Sequence, residues 1–327
     1  MPGSGKKINY QVRPSKSVER KMMCELVKKV QIIRGISELR YIGMGSKYFT
    51  DFLLFHNEFG VTDMISIESE QEREMRYEFN KPLKNIQMMY GTTNEILPQI
   101  EGYDEKMNFV WLDYDGLFSE DTLYDIETLC RNLRSGSVFF VSCNYSYNGA
   151  NPSEKKAALK EVLGDFFDES MEDYIEKSIK KPQYTRNNIP KIIRMLFNKQ
   201  VEEVLYRRNA NRREDKLDYI QLIFITYSDG APMMTLGGIF VDEKLKEEIK
   251  QGEFGKELIF LSNNENPFNI EVQKLTNKEV QFILKVIPVK EEEWCVEKFH
   301  GIELDEIRKF EQVYRYYPHY IEGQIQT

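Results

Sequence analysis

Residues 219–241, YIQLIFITY-SDGAP-MMTLGGIFV, place two strongly β-forming runs on either side of a five-residue connection. Consecutive parallel strands need a crossover of about a dozen residues or more. Five residues admit only an antiparallel hairpin, with Asp229-Gly230 supplying the turn.

Upstream of the hairpin, short apolar runs alternate with helical segments. Leu39–Ile42 leads into Gly43 and a helix from about Lys47 to Phe59. Residues 63–67 end at Glu68 and precede a charged helix running to about Phe79. Residues 85–90 precede Gly91, residues 108–112 end at Asp113, and a helix from about Asp121 to Leu133 leads to a fifth strand over 137–142. Such alternation predicts βαβ units and a parallel sheet. An amphipathic helix is expected over Ser17–Ile33, with Ser17 placed to cap it and Gly35 to stop it. The fold class is α/β: a seven-stranded, mostly parallel sheet closed by an antiparallel hairpin, with a helical insertion and a small C-terminal extension.

The chain divides into a leader and helix (1–35), a Rossmann-like core (36–169), a basic helical insertion or cap (170–218), the core-completing hairpin (219–245) and an extension (246–327). One helix over about Ser153–Phe166 serves as crossover. Between Lys177 and Lys216 stand twelve Lys/Arg and four Asp/Glu, a local charge of +8 in a chain whose net charge is −8. The extension carries a strand-like run at Leu258–Leu261, a capped helix from Thr276 to about Val286, and an aromatic terminus around Tyr314–Tyr320.

With 327 residues, 41% hydrophobic and 30% charged, the composition is that of a soluble globular protein. No apolar run approaches the ~20 residues of a membrane-spanning helix, and the N-terminus lacks the apolar core of a secretory signal. Cys24, Cys130, Cys143 and Cys295 form no Cys-x-x-Cys pair, which argues against a cysteine zinc site and fits a reducing cytoplasm. The three histidines, His56, His300 and His319, are too dispersed for a metal triad. The acidic balance disfavours general nucleic-acid binding.

Ligands of open α/β sheets bind at the C-terminal ends of the strands. Gly43 and Gly45, with Ser46, offer a close backbone approach and a helix N-terminus, or else a tight turn. Glu68, 25 residues after Gly43, stands where an acid accepts ribose hydroxyls, or where a helix dipole favours a carboxylate. Gly91, Thr92 and Asn94 would flank an adenine, or form a helix cap. Residues 111–116, Trp-Leu-Asp-Tyr-Asp-Gly, put Asp113, Tyr114 and Asp115 at the tip of a central apolar strand, where acids are costly unless used or paired. Asn144 at the fifth tip could join Asp113 in an oxygen-rich magnesium site, though no metal is assigned. Arg186, Arg194, Arg207, Arg208, Arg212 and Arg213 could line a groove for a phosphate-bearing substrate, or sit on solvated helices.

In order and spacing these residues resemble class I S-adenosylmethionine-dependent methyltransferases. Residues 41–45 look like their first motif, 65–68 like the strand ending in the ribose-binding acid, 91–98 like the third-strand loop, 110–113 like the fourth motif, and 133–137 like the turn before the fifth strand. The terminal hairpin is that family's hallmark. The pattern also resembles bacterial proteins labelled O-methyltransferases. The chain departs from the family at Tyr41, where an acid is usual, and at Lys47, the third glycine position. No Asn/Asp-Pro-Pro-aromatic tetrapeptide follows the fourth strand, which argues against an amino-group DNA methyltransferase.

The resemblance implies S-adenosylmethionine as cofactor, held by Gly43, Gly45, Ser46, Glu68, Gly91, Thr92, Asn94 and Asp113. It implies methyl transfer to a small-molecule oxygen, with Asp113 as base, substrate anchor or metal ligand, and with Tyr114 and Asp115 beside it. Three other readings stand: a nucleic-acid methyltransferase using the basic insertion, a non-catalytic cofactor-sensing or scaffold protein whose insertion and aromatic tail bind a partner, and a nicotinamide oxidoreductase, which Tyr48 and the hairpin disfavour. A homodimer or a protein partner through the insertion or the C-terminal tail is compatible with each.

Overall fold

The computed structural model describes residues 13–34, 39–179, 184–210, 212, 216–251, 254–262, 264–289 and 299–318. The leader, Gly35, Cys295, Arg213, His319 and Tyr320 therefore lie outside the described residues. The 219–241 stretch folds back as expected. Strands β6 (Asp218–Ser228) and β7 (Pro232–Val241) pair antiparallel, with Ser228 opposite Pro232 and Gly230 at φ +104° in the turn. Strand β7 is wedged between β6 and β5, so close that a Cβ on Gly237 would sit 2.3 Å from the Phe139 carbonyl oxygen. One on Gly238 would sit 2.0 Å from that of Ile220. Only glycine fits there.

The remaining strands are β1 (Leu39–Gly43), β2 (Asp63–Glu68), β3 (Ile86–Tyr90), β4 (Met107–Leu117), β5 (Val138–Asn144) and β8 (Phe268–Ile270). The sheet order is β3-β2-β1-β4-β5-β7-β6-β8, all parallel but β7. It has eight strands rather than the expected seven, because β8 adds to β6 beyond the hairpin. The apolar run at Leu258–Leu261 is not that strand; Leu261 makes a single bridge to Ile223. Direction of winding reverses between β1 and β4, which opens a crevice at their C-terminal ends.

The helices are α1 (Pro14–Arg34), α2 (Thr50–Phe59), α3 (Glu74–Asn80), α4 (Thr93–Ile96), α5 (Glu120–Asn132), α6 (Pro152–Leu163), α7 (Glu169–Ser178), α8 (Ile189–Asn209), α9 (Glu243–Gln251), α10 (Asn277–Val286) and α11 (Leu304–Val313). Side chains alternate along β4: Val110 and Leu112 join the core shared with α5 and α8, while Phe109 and Trp111 join the core shared with α1 and α2. Helix α10 starts at the expected Thr276 cap, with Glu279 completing the capping box. With α11 it forms a separate small cluster around Ile283, Ile307 and Phe310.

Two sequence expectations change here. The segment read as an inserted cap contains α8, whose Ile192, Ile193, Leu196, Phe197, Val201 and Val204 are buried against the sheet's core. It is a sheet-covering layer. Helix α1 starts at Pro14, three residues before Ser17, because its first turn is capped from far along the chain. Asp229 of the hairpin turn accepts from Ser15 N (3.1 Å) and Lys16 N (2.9 Å). Capping across more than 200 residues leaves no local signature. Among the described residues, no helix is long and apolar enough to cross a membrane.

Candidate functional site

The tips of β1, β2, β3 and β4 converge on one cavity of about 340 Å³. Its walls include Gly45 and Ser46 from the first tip, Glu68 from the second, Gly91 and Thr92 from the third, and Asp113, Tyr114 and Asp115 from the fourth. Gly43 and Asn94 do not line it. Gly43 lies beneath, over the Tyr41 hydroxyl, and Asn94 turns away to α5.

The first tip is shaped by an unusual backbone. Ser46 (φ 49°) and Phe49 (φ 46°) are both left-handed, a conformation that costs a non-glycine residue about 1 kcal/mol or more. This postpones α2 to Thr50, not Lys47. It also aims two backbone donors at β2: Gly45 N at Ser66 Oγ (3.0 Å) and Ser46 N at Glu68 Oε1 (2.6 Å). A Cβ on Gly45 would lie 2.8 Å from that Ser66 oxygen and 2.5 Å from the Phe49 ring, so the loop cannot take a larger residue.

Glu68 is 8% exposed. Burial pushes its carboxyl up to about 7, against the lowering effect of the Ser46 and Ser66 hydrogen bonds, both of which fall on Oε1. A buried acid held near neutrality at a strand tip is a group prepared to meet donors. At the third tip Gly91 takes φ +151°, and Thr92 caps α4 with Glu95 in a reciprocal box.

The fourth tip is built around ion pairs that come from α1. Lys16, fully buried, donates to Asp113 Oδ1 at 2.7 Å and lies 2.8 Å from Glu19 Oε2. Its ammonium also sits 4.3 Å from the centre of the Trp111 ring. Glu19 accepts from Thr235, whose hydroxyl meets Ser142 (2.7 Å), which in turn accepts from Trp111 Nε1 (2.8 Å). Burial pushes the Glu19 carboxyl up despite Lys16. Burial works on Asp113 in the same direction, but Lys16, Arg20 and Arg13 together hold it below its ordinary value. Arg20, in the cavity wall, pairs with the buried Asp51. The sequence reading missed these α1 residues. The only available signal was a run of charges at helical spacing, Lys16, Glu19 and Arg20, on the face that also carries Val18, Met22 and Leu26.

Several expected constellations are not assembled. Asn144 does not approach Asp113: its amide oxygen accepts from Ser146 N (2.7 Å) in its own turn, and it lies outside the cavity wall. Among the described residues no group of three His, Cys, Asp or Glu could hold a metal ion. Among the described residues the arginines form no common groove either. Arg194 donates to Gln221 (2.7 Å), and Arg208 to the carbonyls of Cys130 and Leu133 (both 2.7 Å). Arg186 lines a second cavity, while Arg207 lines a surface crevice between α7 and α8. Cys24, Cys130 and Cys143 are buried free thiols, and His56 holds the Val61 carbonyl through Nδ1 (2.9 Å).

Comparison with known proteins gives a match over nearly the whole chain. The family model described as "Putative O-methyltransferase" matches residues 8–325. No functionally curated protein matches the chain. Solved structures are similar at low scores. Cofactor-bound Rv0187 from MTB has a TM-score of 0.36 at 14% identity, over 71% of this chain and 80% of that one. The structure described as "a putative sarcosine dimethylglycine methyltransferase from Galdieria sulphuraria" has 0.32 at 14%, over 67% and 84%. LepI in complex with SAM has 0.35 at 9%, over 65% and 46%, so the chain spans less than half of LepI.

Proposed function

Since the chain belongs to this O-methyltransferase family, we propose that it transfers a methyl group from S-adenosylmethionine to an oxygen of a small-molecule acceptor. The observation that carries this reading is the convergence of four strand tips on one cavity with a buried, near-neutral acid, Glu68, in its wall. The donor set fits an adenosine-bearing amino acid. Glu68 Oε2 is the oxygen for the ribose hydroxyls, since Oε1 already serves Ser46 and Ser66. Thr92, Thr93 and Tyr114 would border the base. The charged end of the cavity, with Arg20, Asp51 and Asp113, suits the amino-acid moiety.

The cofactor supplies an electrophilic methyl on a sulfonium; the protein supplies alignment and exclusion of water. Asp113 already accepts from Lys16 and is held below its ordinary range, which makes it a weak base. Its role in this reading is to anchor a positive group. Asp115, more exposed in the wall of the cavity, is the carboxylate placed to face an acceptor. Occupation of Arg194 and Arg208 by internal partners favours a small acceptor over a nucleic acid.

The test is calorimetric titration of the full chain with S-adenosylhomocysteine and with NAD. The proposal expects the first to bind at micromolar concentration and the second not to bind. Binding of NAD alone would place the protein among the oxidoreductases.

A further inference from the structure

Asp125, on α5, stands behind the cavity rather than in its wall. It is fully buried, and its carboxylate gathers three side-chain donors from two strand tips. The hydroxyls of Thr93 and Tyr114 both donate to Oδ2, and the Asn94 amide donates to Oδ1 at 2.6 Å. The same amide donates to the Asp121 carbonyl at 2.9 Å, which fixes its nitrogen toward Asp125.

A hydroxyl carries one hydrogen. With both hydrogens committed to Asp125, the oxygens of Thr93 and Tyr114, 3.4 Å apart, retain only lone pairs for other partners. Both residues line the cavity. We propose that Asp125 is a positioning residue that sets Thr93 and Tyr114 as a pair of acceptors and so selects a base edge bearing N–H donors, the 6-amino group of adenine, over the 6-oxo group of hypoxanthine. The inference rests on the adenosyl cofactor reading above. A 6-oxo group brings lone pairs against two oxygens that have no hydrogen to offer. A site whose polar groups are left unmatched rejects the wrong ligand far more strongly than one that merely loses contact area.

The test compares binding of S-adenosylhomocysteine and S-inosylhomocysteine to the full chain by calorimetry. Wild type is expected to prefer the adenosyl compound by at least about tenfold, the factor that one unmatched buried hydrogen bond of about 1.4 kcal/mol produces. In Asp125→Asn the Asn94 amide still requires an oxygen opposite it, so the new amide nitrogen faces the two hydroxyls and donates to them. Their hydrogens then turn outward, and the preference is expected to vanish or invert. The Thr93→Val, Tyr114→Phe pair removes the acceptors without touching Asp125, and should abolish the preference without inverting it. It also serves if Asp125→Asn does not fold. Equal wild-type affinity for the two compounds, or a preference unchanged in these variants, overturns the inference while leaving the cofactor reading intact. Failure of wild type to bind either compound overturns both.

Discussion

Replacing Glu68 with glutamine should stabilise the ligand-free protein while weakening its hold on an adenosyl ligand. The carboxyl is raised from its ordinary 4.5 to about 7, chiefly by burial. A group whose folded pKa lies above its unfolded value contributes most below the unfolded value, and that contribution is lost as pH rises through the folded one. Ionised Glu68 is therefore a burden on the folded state, growing from pH 4.5 to 7 and level above. At about 1.4 kcal/mol per tenfold change in proton affinity, the burden is about 1 kcal/mol at pH 5 and about 3 kcal/mol at pH 8. Glutamine removes the charge and keeps an oxygen for Ser46 N and Ser66 Oγ. Urea unfolding of Glu68→Gln against wild type should show a stabilisation of that order at pH 8 and a much smaller one at pH 5. The same variant should bind S-adenosylhomocysteine at least about tenfold more weakly at pH 8, since its one oxygen serves Ser46 and Ser66 and the amide nitrogen left facing the ribose hydroxyls cannot accept from them. Equal stability of the two proteins at pH 8 would refute the claim that Glu68 is buried against its own ionisation.

Because ribose hydroxyls are better met by the ionised acid, wild-type affinity should rise as pH passes upward through about 7, with proton release on binding visible as a buffer-dependent heat; a flat profile from pH 6 to 8 counts against Glu68 as the contact. Lys16→Met removes the ammonium that pairs with both Asp113 and the fully buried Glu19 and should cost about 3 kcal/mol in urea unfolding. Asp229→Ala removes the long-range cap from α1 and should cost about 1 kcal/mol, with faster proteolysis near Pro14.

Much of the architecture was legible because it is written locally. Alternation of strand and helix, and a five-residue connection too short for a crossover, fix the mostly parallel sheet and its reversed β7. The cavity tips followed, since strand ends in such a sheet are ligand sites whatever their residues. What escaped the sequence is long-range. Nothing near Pro14 says that Asp229 caps it, and nothing near Asp113 says that Lys16 neutralises it. Likewise Asn94 stands two residues after Thr92 in sequence, but its amide is drawn to Asp125 on α5 and it does not line the cavity. The basic segment misled because a charge count cannot tell a solvated arginine from one, like Arg208, that holds carbonyls at the end of α5. Strand β8, only three residues long, is too short to show periodicity.

The central claim is that the tips following β1, β2 and β4 enclose an adenosine-bearing ligand. A crystal structure of the full chain with S-adenosylhomocysteine tests it most directly. The ribose hydroxyls are expected on Glu68, the adenine beside Thr93 and Tyr114, and the amino-acid end toward Asp113. Electron density for the ligand elsewhere, with Glu68 touching only Ser46 and Ser66, would contradict it.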